Sequence, residues 1–243
     1  MEKMASLAKD LSPCTMLVVA AGQGRRFGGE LPKQYRAVAG RPLLLHALAH
    51  LHAHPLVERI VPVIAPDGFD LWERYLQPHL DRLPKVTTPV AGGSERQHSV
   101  RLGLASLALA ADAWVGIHDG ARPLVQHDLL DRLLRARTQA DALIVALPAH
   151  DTVKRVATDH HVVATLNRQE IWLAQTPQIF RYALVRNAHA QAAADGFIGT
   201  DDASLVERFG AAVHVVLGDP RNMKVTHPYD ETFVTLLLQE EAP

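Results

Sequence analysis

The chain has 243 residues, 48% hydrophobic and 21% charged, with a formal net charge of −1, a balance that describes an ordinary globular protein and gives nothing basic enough to suggest nucleic acid as a partner. Its single cysteine, Cys14, excludes an internal disulfide and a cysteine-based zinc site and fits a reducing, cytoplasmic compartment. No run reaches the roughly 18–20 apolar residues of a membrane span, and residues 1–15 lack a signal-peptide core, so no membrane partner is expected. One domain is the simplest count, burying roughly three quarters of its unfolded surface, with residues 1–14 expected to be disordered.

Residues 16–21 are an apolar run of strand length, and Gly22 and Gly24 follow where that strand must turn. Glycines let main chain approach an anion, and Arg25, Arg26 and Lys33 add three positive charges nearby, as a polyphosphate requires. A turn with a solvated basic loop is the plainer alternative. The pattern is neither a Walker A loop nor the full dinucleotide fingerprint, because Arg25 and Phe27 stand where a third glycine should fall.

The spacing then predicts a helix over 42–51, a strand over 59–65 in which Pro62 is awkward, a helix over 67–80 and a short strand over 85–90. His46, His50, His52 and His54 fall on or just beyond the first helix with no interleaved carboxylate, and no metal role is expected of them. This alternation argues for an α/β fold with a mostly parallel sheet covered on both faces. In GGSERQHSVRLGL, Ser94 is expected to cap a helix with Gln97 completing a capping box, and Val100, Leu104 and Leu107 face inward. The stretch reads either as a capped helix and no more, or as a base site where Gly92, Gly93 and the Ser99 hydroxyl read a pyrimidine edge.

A strand over 113–118 delivers Asp119 to the crevice where parallel sheets bind ligands, as a Mg²⁺ ligand or as a turn residue. Arg122 reads equally as an anion contact or a surface residue. A helix over 125–138 and a buried strand over 142–147 precede a hairpin at 151–166, too thin in apolar residues to stand alone. A strand-to-turn element is expected at residues 175–178, and helices over 181–194 and from a Thr200 N-cap lead to a strand over 212–217. Lys224, between Met223 and Val225 in a strand pattern, points to the cleft if they face the core. A helix over 228–239 closes the chain.

AAGQGRR with PKQ (Ala20, Ala21, Gly22, Gly24, Arg25, Arg26, Lys33) resembles the nucleotidyltransferases that join a nucleoside triphosphate to a phosphorylated sugar or alcohol. GGSERQHSV, HDGARP, TPQ, TDDAS and NMKVT narrow the resemblance to the 2-C-methyl-D-erythritol 4-phosphate cytidylyltransferases of the non-mevalonate isoprenoid pathway. The resemblance implies a Rossmann-like, GT-A-like fold, CTP and methylerythritol phosphate as substrates, and Mg²⁺ near Asp119. It implies that Arg26 and Lys33 stabilise the reacting α-phosphate, that the loop, Gly92, Gly93, Ser99 and Asp119 hold CTP, and that Arg122, Thr152, Arg168 and Lys224 meet the phosphorylated alcohol. It further implies a homodimer clasped by a β-arm at 149–170. Gly120 stands where the family usually has alanine. A ribitol 5-phosphate cytidylyltransferase and a catalytically silent nucleotide-binding protein are the alternatives.

Overall fold

Residues 12–22 and 31–240 are described by a computed structural model. The residues 1–11, and the loop residues Gly24, Arg25 and Arg26, lie outside the described residues. The first apolar run forms β1, Cys14–Ala20, buried along almost its whole length, as a central parallel strand covered on both faces must be. Its neighbours are β4, Val57–Ile64, and β6, Trp114–Asp119, both parallel to it. With β5 (Val90–Ala91), β7 (Ala142–Pro148), β10 (Trp172–Arg181) and β11 (His214–Leu217) they make a seven-stranded sheet ordered β11-β7-β10-β6-β1-β4-β5, while β2 (Ala37–Val38) and β3 (Arg41–Pro42) pair antiparallel with each other outside it. Only β10 runs antiparallel, against both β6 and β7.

Two helical layers cover the sheet. Met16, Val18 and Ile60 pack with Leu44, Leu48 and Leu51 of α1 (Leu43–Ala53), Trp72 of α2 (Phe69–Tyr75) and Leu129 and Leu133 of α4 (His127–Arg135). On the other face Leu17, Val61 and Val63 meet Val100 and Leu104 of α3 (Arg96–Ala105), Val185 of α5 (Tyr182–Ala194) and Val206 of α6 (Asp202–Arg208). The last helix, α7 (Asp230–Glu240), joins a smaller cluster with Val38, Leu43 and Val225 through Val234. Among the described residues no helix is long and apolar enough to cross a membrane.

Pro62 sits within the sheet, opposite Val18 of β1. The backbone groups of Ile60 and Ile64 face the β5 side, where they bond Lys85, Thr87 and Gly92. Residue 62 shares that side, and the strand pairing there begins only at Val63 with Val90, so the proline's missing donor leaves no ladder bond broken. The strand expected over 85–90 is correspondingly reduced to a bridge at Val86 and the two residues of β5.

Two caps fall one residue later than expected. The N-cap of α3 is Glu95, not Ser94, and Gln97 bonds Phe197 and Gly199 instead of closing a capping box. The N-cap of α6 is Asp201, not Thr200, in a capping box with Ser204. The hairpin is present as β8 (Lys154–Val156) paired antiparallel with β9 (Val162–Thr165), away from the main sheet.

Candidate active site

From β1 the sheet grows one way through β4 and β5 and the other way through β6, so the connections diverge at the carboxyl ends of β1 and β6. Ligand crevices of open α/β sheets form at such a switch point. A cleft of about 280 Å³ opens there, lined by Ala20, Ala21, Gly22, Lys33, Gly93, Ser99, Asp119 and Lys224 among others.

Each wall has a local cause. Gln34, the last residue of PKQ, is buried and donates to the carbonyls of Ala20 and Gly22 at 2.8 and 3.1 Å, fixing the exit of β1. Lys33 beside it donates to the Val225 carbonyl at 2.6 Å, which ties that exit to the segment carrying Lys224. Gly92 admits no side chain, since a Cβ there would lie 2.7 Å from that of Ala21 and 2.8 Å from Ser99 Oγ. The Ser99 hydroxyl, 1% exposed, accepts the Gly93 N–H at 3.0 Å and lies 3.0 Å from the Glu95 carbonyl. It therefore shapes the glycine loop from within.

Asp119 ends β6 at the cleft floor. Its Oδ1 accepts from Arg96 Nε at 2.9 Å and its Oδ2 from Lys224 Nζ at 2.6 Å. Burial alone would raise its carboxyl, but Arg96 and then Lys224 hold it well below the usual carboxylate range. Lys224 reaches it from a stretch without strand structure, flanked by the partly buried Met223 and the fully buried Val225, which both pack in the cluster beside Leu43.

Behind Asp119 a directed chain of hydrogen bonds fixes the turn. The Asp119 N–H donates to Thr176 Oγ1 at 3.0 Å, and Thr176 Oγ1 lies 3.2 Å from His118 Nδ1. His118 Nε2 lies 2.9 Å from the Arg122 carbonyl, an acceptor only, so the proton sits on Nε2 and Nδ1 accepts from the threonine. Burial pushes His118 down to about 4. Arg122 turns from the cleft to donate to the Asn222 carbonyl at 2.7 Å. Gln175 bonds the same carbonyl, and Asn222 bonds that of Thr176. Thus TPQ and the approach to Lys224 form one stitched unit.

Thr152 and Arg168 stand apart: both are exposed on the arm, outside the lining of this cleft, and Arg168 donates to the His150 carbonyl. Sequence reasoning passed over Arg96, which lines the cleft and pairs with both Asp119 and Asp202. The signal available was its place inside GGSERQHSV; its partners lie far along the chain.

One cluster elsewhere has ligand-like spacing, His54, His127 and Asp131, with one ligand atom from each within 4.8 Å of the others. His54 Nδ1 accepts the Leu56 N–H, so the ring proton is on Nε2, which faces Asp131 at 3.3 Å. A metal on Nε2 would require an imidazolate, and the cluster is better explained as a packed histidine with a carboxylate partner.

A family model described as 2-C-methyl-D-erythritol 4-phosphate cytidylyltransferase matches residues 14–240. The protein of that name from Geotalea uraniireducens is 48% identical over 217 residues, covering 89% of this chain and 92% of its own. The one from Symbiobacterium thermophilum is 44% identical over 230 residues, covering 95% and 94%. A crystal structure of 4-diphosphocytidyl-2C-methyl-D-erythritol synthase from Anaerococcus prevotii superposes with a TM-score of 0.80 at 30% identity, over 94% of this chain and 99% of that one.

Proposed function

The chain belongs to the 2-C-methyl-D-erythritol 4-phosphate cytidylyltransferase family, and from that premise we propose how its cleft carries out the reaction. CTP and 2-C-methyl-D-erythritol 4-phosphate give 4-diphosphocytidyl-2-C-methyl-D-erythritol and pyrophosphate, a step of isoprenoid biosynthesis. A phosphate oxygen of the alcohol bonds the α-phosphorus of CTP. The bond from that phosphorus to its bridging oxygen breaks, and pyrophosphate keeps the electron pair.

The attacking monoester carries about −1.5 to −2 charge near neutral pH, so no general base is needed and the barrier lies in repulsion and alignment. Lys33, with Arg26 from the loop outside the described residues, neutralises the charge that builds on the α-phosphate. Gly92, Gly93 and Ser99 receive the cytosine, while Lys224, with Thr152 and Arg168 brought from a partner's arm, orients the nucleophile; Arg122, expected to meet it too, instead turns from the cleft and braces the segment that carries Lys224 through the Asn222 carbonyl. The observation that carries this reading is the meeting of Lys224 and Arg96 on one buried carboxylate at the switch point, in a cleft that Lys33 also lines.

Mg²⁺ is tested by the donors present. Asp119 uses one lone pair on each oxygen for Arg96 and Lys224, and a carboxylate offers about four such sites. Mg²⁺ keeps several waters and takes one or two carboxylates plus substrate phosphates. The residues therefore fit an ion that arrives with the triphosphate, with Asp119 as its protein ligand. When bound, it would supply further positive charge to the phosphate oxygens.

The exposed face of the arm supports a homodimer. Val156, Val162, Val163, Trp172 and Leu173 are all at least 43% exposed on the hairpin and the adjoining end of β10, a patch that a second copy can cover. Arg168 and Thr152 lie outside their own chain's cleft, and exchange of arms would carry them toward the partner's. The lone buried thiol of Cys14 is in keeping with a cytoplasmic enzyme.

The test is pyrophosphate release from CTP with either methylerythritol phosphate or ribitol 5-phosphate. Fast release with the first and little with the second is expected. The reverse preference would transfer the assignment, and no release with either would leave a nucleotide-binding protein.

A further inference from the structure

Asp202 is 1% exposed, the first residue of α6, and behind the cleft rather than in it. A buried carboxylate is costly unless its charge is matched. Helix capping does not explain it: Asp201 and Ser204 form the capping box, and Gln178 accepts the Ala203 N–H. The Asp202 carboxylate instead has two other neighbours. Its Oδ1 lies 3.0 Å from His189 Nε2, itself 1% exposed on α5, and its Oδ2 forms an ion pair at 2.8 Å with Arg96 Nη2.

Arg96 opens α3, where the helix dipole disfavours a cation. Its guanidinium is nevertheless held there by carboxylates on two sides, Asp119 at Nε and Asp202 at Nη2. A planar group held by a hydrogen bond on one side and a close ion pair on the other resists turning in its plane. With only the Asp119 contact left, it could pivot about that bond. Asp119 could then follow it and disturb its pairing with Lys224.

We propose that Asp202, oriented by His189, is a positioning residue of the transferase cleft: it acts through Arg96 to fix Asp119 and Lys224, without touching either substrate. The proposal rests on the cytidylyl-transfer reading above. Asp202 is a lever arm behind the floor of the site, and its loss should be felt in rate through Arg96 alone.

The experiment is a double-mutant cycle in the full-length protein, reading pyrophosphate release from CTP and methylerythritol phosphate, with denaturation curves showing each variant folded at the assay temperature. Asp202→Asn keeps the shape but removes the charge and one acceptor, and should lower kcat/KM for CTP by about tenfold or more. Arg96→Ala should cost at least as much, and the double variant should be no slower than Arg96→Ala. A loss of stability alone would instead multiply through the cycle. Should Asp202→Asn not fold, His189→Leu and His189→Gln replace it: leucine, which removes the donor, should slow the enzyme only when Arg96 is present, and glutamine, which can supply a donor, should restore part of the rate. Wild-type turnover in Asp202→Asn, or independent losses in the double variant, would overturn the positioning role while leaving the function intact. Absence of turnover in the wild-type chain would remove the function and this role with it.

Discussion

Lys33 illustrates how a residue can be placed before its ligand arrives. Its Nζ bonds a neutral carbonyl, that of Val225, and an anionic phosphate oxygen would make a stronger, charge-assisted partner. In the proposed role that charge is matched to the transition state more than to bound CTP, and Lys33→Ala is then expected to lower kcat by at least about a hundredfold with a much smaller change in CTP affinity. Steady-state pyrophosphate release with calorimetric CTP titration checks this, and near-normal turnover would refute it. Gly120, the departure from the family's alanine, has a spatial reason. A Cβ there would lie 2.7 Å from Leu44 Cδ1, and Leu44 is fully buried in α1. Gly120→Ala should thus destabilise by about 1 kcal/mol through overpacking, with activity retained. Combined with Leu44→Val, which frees the space, it should cost less than the sum of the two changes in urea denaturation; strict additivity would contradict the packing explanation.

At the scale of elements, two buried histidines tie packing to pH. His54, at the end of α1, and His118, in β6, are both lowered from 6.5 to about 4, chiefly by burial. Below pH 6.5 the unfolded chain takes up protons that the folded one refuses, so stability falls as pH drops from 6.5 toward 4. By pH 5 the loss is roughly 2 kcal/mol per histidine. Denaturation at pH 7.5 and 5 should show it, His54→Gln should remove about half of the slope, and equal stability at the two pH values would contradict the burial argument. The same elements explain what the sequence could reveal. Strands β1, β6 and β7 were legible because each is a run of apolar residues buried on both faces, and Asp119 was legible as the polar end of one of them. Of the central antiparallel strand β10 only a strand-to-turn element at residues 175–178 was legible, because Gln175, Thr176 and Gln178 break its apolar pattern; all three are buried, and their side chains bond Asp219, the Asp119 N–H and Asp201. The roles of Arg96 and Asp202 were illegible for a related reason. Their meaning lies in contacts between distant segments, which no local spacing encodes.

For the molecule as a whole, the proposed nucleotide site lies within one chain, but the proposed contacts to the second substrate are incomplete. Thr152 and Arg168 ride on an arm whose apolar residues are left exposed and which pairs only with itself. An isolated two-stranded hairpin is marginal in water, and a two-fold exchange of arms would cover both hairpins and deliver Arg168 to the neighbour's cleft in one arrangement. The most direct measurement is complementation in mixed dimers of an Arg168→Ala chain with a Lys33→Ala chain, each nearly inactive alone. If the cleft of one protomer works with the arm of its partner, each heterodimer has one intact site and should recover up to about half of wild-type pyrophosphate release. If heterodimers demonstrably form and no activity returns, Arg168 serves its own subunit; if the active protein is a monomer, the shared site does not exist.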